Sequence, residues 1–222
     1  MGIAARFCVD FTFLIDKFRL KREKPNLNDQ RKSIMSNTVL SIKLLGHDSL
    51  LKQAGLVLGG SLFIALSAQV SVGWPVPITL QTLAILIVGL TYGSRLGAVT
   101  LVAYLAEGAM GFPVFANGQS TAALAGPTAG FLYGFVAMAW LAGWVVEKGY
   151  ARGIISTALC GIVISLLLYI PGVAWPALLL GKSLPELWLY WIGPFLLGDA
   201  LKAIVASMVV RGAWQVAGFS SK

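Results

Sequence analysis

Gln53-Ala-Gly-Leu-Val-Leu-Gly-Gly-Ser-Leu-Phe-Ile-Ala-Leu-Ser-Ala-Gln-Val-Ser-Val-Gly-Trp-Pro-Val-Pro-Ile-Thr-Leu-Gln-Thr-Leu-Ala-Ile-Leu-Ile-Val-Gly-Leu-Thr-Tyr-Gly-Ser94 contains no charged side chain. A helix of roughly 20 apolar residues crosses the hydrocarbon core of a bilayer. This run is therefore long enough for two crossings, divided at Gly73-Trp-Pro-Val-Pro. The stretch from Gly108 to Val146 is also free of charge and long enough for two, and a third such stretch runs from Gly153 to Gly181. Of the 222 residues 57% are hydrophobic and only 12% charged. With a mean hydropathy of +0.80, this composition lies well outside that of soluble domains and marks an integral membrane protein.

Between the breakers, six spans are expected at residues 51–71, 78–92, 94–111, 128–147, 153–172 and 187–211. The dividers are the Pro and Gly clusters at 73–77, 91–95, 112–118 and 149–152, and a last one from Pro171 through Pro185. The fold class is an all-α bundle of six transmembrane helices. Ahead of it, residues 1–48 form a basic polar leader, and residues 49–222 form the transmembrane domain. The leader lacks the apolar core and small-residue cleavage site of a signal peptide, and Met35-Ser-Asn-Thr reads as a second possible start.

The formal net charge of +8 is no nucleic-acid footprint, because half of it lies in residues 1–34 and the rest flanks spans. Positive residues collect on the cytoplasmic side of membrane proteins. With the N-terminus inside, Arg95, Lys148, Arg152, Arg211 and Lys222 all fall inside, and Lys182 alone falls outside. Both termini are thus expected in the cytoplasm. The longer connections rich in Pro, Gly and amide residues, 72–77, 112–127 and 172–186, would face outward, and the working face with them. Cys8 and Cys160 imply neither a disulfide framework nor a metal cluster.

Asp199 and Lys202 lie one helical turn apart inside the apolar run Trp188 to Val210. An ionisable group near mid-span costs roughly 2.5–3.5 kcal/mol on insertion scales, so each needs a partner, most simply the other. The pair reads as a polar site facing the bundle interior, or as an ion pair that only neutralises itself and joins two helices. Thr79, Gln81 and Thr82 at the start of the second span offer hydroxyl and amide groups to a polar ligand or to neighbouring helices. From Tyr104 to Gln119 the aromatic and amide content suits a compact uncharged ring, with Asn117 and Gln119 at its polar edges; an interfacial aromatic belt with a turn is the plainer reading. Glu107 is expected to reach the interface. Gly126, Gly130 and Gly134 are spaced for close helix contact, and Gly55, Gly59, Ser61, Ala65 and Ala68 form a similar surface that either packs internally or receives a partner.

Some chemistries are excluded. Gly181-Lys-Ser is no phosphate loop, since Pro176 stands where its first Gly is required. The only His precedes the first span and Asp199 is the only Asp within the six, so no His-ligated metal, aspartyl dyad or other enzyme site is expected, nor any cofactor.

Pro75-Val-Pro-Ile-Thr-Leu-Gln-Thr-Leu, Gly111-Phe-Pro-Val-Phe-Ala, Gly126-Pro-Thr-Ala-Gly-Phe-Leu and Gly198-Asp-Ala-Leu-Lys, in this order, resemble the BioY family of bacterial biotin-uptake proteins. The likeness covers about residues 50–215. It implies the substrate-binding S component of an energy-coupling factor (ECF) transporter in the bacterial cell membrane. Six helices would hold biotin near the external face, and a transmembrane coupling subunit with two ATPase subunits would work alongside. By the same resemblance Asp199 and Lys202 bind biotin, with Asn117, Gln119, Gln81 and Tyr104 as further contacts. The small-residue face of the first span, with Ser61, Ala65, Gly55 and Gly59, becomes the docking surface for the coupling subunit. Another vitamin of similar size, or biotin uptake without ATPase partners, is the alternative within transport; a membrane enzyme or scaffold using Asp199 alone is the alternative outside it.

Overall fold

The computed structural model describes residues 50–73 and 76–216. The expected leader and alternative start lie outside the described residues, as do Trp74 and Pro75. The main helices are α1 (Leu50–Gln69), α2 (Gln81–Tyr92), α3 (Ser94–Ala109), α4 (Ala129–Glu147), α5 (Ile154–Leu179) and α6 (Leu184–Val216). Strands β1 (Ser71–Val72) and β2 (Ile78–Thr79) pair antiparallel between α1 and α2, Ser71 opposite Thr79. Two 3₁₀ turns, Ala116–Gly118 and Thr121–Leu124, lie between α3 and α4.

α1, α4, α5 and α6 are each long and apolar enough to cross a membrane. At 1.5 Å per residue the 12 residues of α2 reach only about 18 Å, short of a core ~30 Å thick. α2 can be short because it is enclosed by protein: it packs against α1, α3, α4 and α6 and buries Ala84, Ile85, Leu86, Val88 and Leu90. Non-helical backbone at membrane depth is tolerated only in such surroundings. The second span was expected from residue 78, but residues 78–79 pair with β1 and the helix begins at Gln81.

α5 corrects a second expectation. Instead of breaking at Pro171 it continues through Pro171 and Pro176 to Leu179. A proline removes one ladder hydrogen bond, whereas leaving the helix in a bilayer would strand many backbone groups. α4 packs closely here: a Cβ on Gly130 would stand 2.2 Å from the Pro171 carbonyl oxygen, and one on Gly134 would meet Leu168 and Pro171 at 2.8 Å. Gly130 and Gly134 are therefore helix-contact positions, as expected, whereas Gly126 lies ahead of α4, and a Cβ there would stand nearest Ala122 and Ala123 of the preceding 3₁₀ turn.

α6 starts earlier than expected, at Leu184, behind a capping box in which Ser183 and Glu186 satisfy each other's backbone N–H groups. It contains a π turn, Trp188–Ile192, closed by the Gly193 N–H donating to the Trp188 carbonyl. Pro194 follows, and the wider turn accommodates the N–H that proline lacks. The turn also aligns a face. Steps of four residues overshoot an α-helical turn by about 40° each, and one wide turn takes back part of that drift. Leu187, Trp191, Phe195 and Asp199 are accordingly all buried.

Candidate functional site

A cavity of about 490 Å³ opens among the connections at one end of the bundle, within the range of small-molecule sites. Gly73, Val76, Pro77 and Thr79 line it from the α1–α2 connection, and residues 115–120 from the α3–α4 connection. Phe131 and Phe135 of α4, Tyr169 of α5, and Phe195, Asp199 and Lys202 of α6 complete the wall. These connections are the ones expected to carry the working face.

At the base lies a compact polar cluster. The Lys202 ammonium donates to Asp199 Oδ1 at 3.0 Å and to the Thr82 hydroxyl at 3.1 Å. Thr82 donates in turn to the same Asp199 oxygen at 3.0 Å, and Tyr169 donates to Asp199 Oδ2 at 2.6 Å. Asp199 is only 5% exposed. One carboxylate thus ties together α2, α5 and α6, which no pairwise ion bridge on a single helix would do. An ammonium has three donors and a carboxylate about four acceptor sites. Two and three of these are used among the described residues. By this count one N–H of Lys202 and one acceptor site of Asp199 are left over, on two residues that both line the cavity.

Above this base the wall is aromatic. Phe131 meets Tyr169 edge-on, centroids 6.2 Å apart, and lies tilted against Phe195 at 6.4 Å. Gly172 makes room for it, since a Cβ there would fall 2.3 Å from the Phe131 ring. Such a wall takes the apolar faces of a small ring system while the base reads its polar edge.

The other expected site residues divide. Asn117, within the 3₁₀ turn, and Gln119, just after it, line the cavity. Asn117 adopts a left-handed conformation (φ 57°) and accepts a hydrogen bond from Ser71. Gln81 lines the cavity and donates to the Tyr104 hydroxyl at 2.8 Å. Tyr104 is fully buried behind the wall rather than on it, donating to the Val114 carbonyl and packing edge-on against Phe115. Its hydroxyl braces the α3–α4 connection at Val114 and does not face the ligand space. Thr82 lines the cavity as one of the hydroxyls the sequence offered to a polar ligand, whereas Tyr169, Phe131 and Phe195 are contacts that sequence reasoning missed. Tyr169 had a weak signal, as a hydroxyl within a charge-free span.

The small-residue face of α1 also divides. Ser61 and Ala65 are buried, and the Ser61 hydroxyl donates to Glu107 of α3. They form an internal contact and are not available for docking; a hydroxyl inside a bundle finds an internal acceptor. Gly55 and Gly59 have open space where a Cβ would stand.

Comparison with known proteins agrees with this architecture. The fold matches the crystal structure of the S-component for biotin from an ECF-type ABC transporter (TM-score 0.64, 24% identity, 74% of this chain and 92% of that one). Residues 35–219 match the model of the BioY family, and the chain belongs to that family. It is 34% identical over 156 residues to the probable biotin transporter BioY of Pyrococcus horikoshii, covering 68% of this chain and 91% of the relative. It is 31% identical over 160 residues to the biotin transporter BioY of Rhizobium etli, covering 67% and 83%.

Proposed function

We propose that this chain captures biotin and serves as the substrate-specific component of an ECF-type transporter in a bacterial cytoplasmic membrane, with its cavity toward the outside. One observation carries the ligand assignment: an acceptor and a donor stand adjacent at the base of an aromatic cavity. A cyclic urea presents the complement, an N–H beside a carbonyl, while its fused apolar ring fits the Phe131, Tyr169 and Phe195 wall. The ureido end points at Asp199 and Lys202, because it offers a donor to the carboxylate and an acceptor to the ammonium together, whereas a carboxylate tail could serve Lys202 alone and would stand against the Asp199 charge. The tail extends toward Asn117 and Gln119 at the mouth. Relatives named as biotin transporters support the same ligand.

Energy for uptake comes from separate ATPase subunits through a membrane coupling subunit, consistent with the fold likeness and with the missing phosphate loop; no cofactor takes part. Gly55 and Gly59, with Leu58 and Leu62 exposed between and beside them, give the coupling subunit a close approach to α1.

Calorimetric titration with two analogues tests the ligand pose. Amidating the tail carboxylate should change affinity by less than about tenfold. Replacing the ureido oxygen by an imino group, which puts a donor against Lys202, should weaken binding about 100-fold, the scale of a lost charged hydrogen bond plus a stranded donor. The opposite ranking would reverse the pose, and no binding of biotin itself would reject the ligand.

A further inference from the structure

We infer that Gln69, outside the cavity, is a positioning residue whose side-chain amide clasps the cavity roof to the end of α1 and thereby sets how long a bound ligand is held. The inference rests on the ligand reading above. The roof is the 3₁₀ turn Ala116–Gly118, and it is flanked on both sides by the same Gln69 side chain. Nε2 of Gln69 donates toward the Phe115 carbonyl at 3.2 Å and the Pro113 carbonyl at 3.4 Å, while Oε1 accepts from the Gly118 N–H at 3.1 Å. One amide thus closes the loop before and after the turn. Ser71, just beyond α1, adds a second tie by donating to Asn117.

The two edges of the roof are held differently. On the inner edge Phe115 is buried in a slot that exists only because residue 108 is glycine, a Cβ there falling 2.1 Å from its ring, and Tyr104 fixes the neighbouring Val114 carbonyl. On the outer edge the ties are neutral hydrogen bonds, two of the Gln69 contacts and the Ser71 contact being exposed. Exposed neutral hydrogen bonds open locally at far lower cost than packed core. The roof is therefore built to swing outward about Phe115 when the Gln69 clasp lets go. Gln69 does not line the cavity, so replacing it removes no ligand contact.

The test is the dissociation rate of labelled biotin from the full-length protein in lipid nanodiscs, together with hydrogen exchange of amides 113–120 in the ligand-free state. Gln69→Leu should speed dissociation about tenfold, the kinetic scale of losing one or two hydrogen bonds, and speed exchange of those amides without lowering the melting temperature. Gln69→Glu, which retains only the accepting half, should fall between wild type and Gln69→Leu; Ser71→Ala gives a smaller effect of the same sign and stands in should Gln69→Leu fail to fold. Dissociation within twofold of wild type in the folded variants, with unchanged exchange, would overturn the inference. Failure of the wild type to bind biotin would instead reject the ligand reading, and the exchange measurement would still decide whether the clasp holds the roof.

Discussion

Asp199→Asn combined with Lys202→Gln melts close to wild type and loses at least about 100-fold in biotin affinity, whereas Lys202→Ala alone destabilises the bundle by about 3–5 kcal/mol. The second effect follows from stranding a buried charge: Asp199 would keep only two neutral hydroxyl donors, Thr82 and Tyr169, at 5% exposure. The first follows because a neutral amide pair preserves hydrogen bonding to both hydroxyls while removing the anion and cation that face the ligand. Charged hydrogen bonds contribute about 1.5–3 kcal/mol each, so two of them exceed a 100-fold change. Thermal unfolding and equilibrium binding on the same samples check this. A double variant that unfolds would make the pair structural glue; one that binds normally would move the site elsewhere.

The second large effect lies at the opposite end of the bundle. Gly143→Ala would place a Cβ 2.1 Å from Gly93 C and Ser94 N, both backbone atoms of the α2–α3 turn. That turn is fixed from α4, where Glu147 accepts from the Ser94 N–H at 2.7 Å and from its hydroxyl at 2.8 and 2.9 Å. Neither side can yield by rotating a side chain. Overpacking of this kind costs about 3 kcal/mol, which lowers the melting temperature of a chain this size by about 6–12 °C. Gly59→Ala is the control: nothing lies within 4 Å of its Cβ position, and alanine favours helix by up to about 1 kcal/mol. Equal melting of Gly143→Ala and wild type in detergent would contradict the α2–α3 contact with α4.

Six helices were legible in sequence because the bilayer imposes a length and disfavours charge, and each of the six overlaps the apolar segment expected for it. Their ends were less so. Pro171 reads as a break on local grounds, yet α4 presents Gly130 and Gly134 to that stretch and the helix continues. The Asp199–Lys202 pair was legible because a charge at depth must be partnered. Thr82 and Tyr169, its other partners, were not, since a hydroxyl in an apolar helix usually bonds its own backbone or a neighbour and carries no mark of which. The inward turn of Ser61 and Ala65 was equally hidden: small-residue spacing gives a face without saying what lies against it, and Glu107 on α3 decided it.

The most direct measurement is equilibrium binding of labelled biotin to the purified chain without any partner, with thiamine and riboflavin as competitors. Saturable binding displaced by unlabelled biotin and unaffected by the other two vitamins is the predicted result. A folded sample that binds no biotin, or releases it equally to all three, would contradict a biotin site built on Asp199 and Lys202.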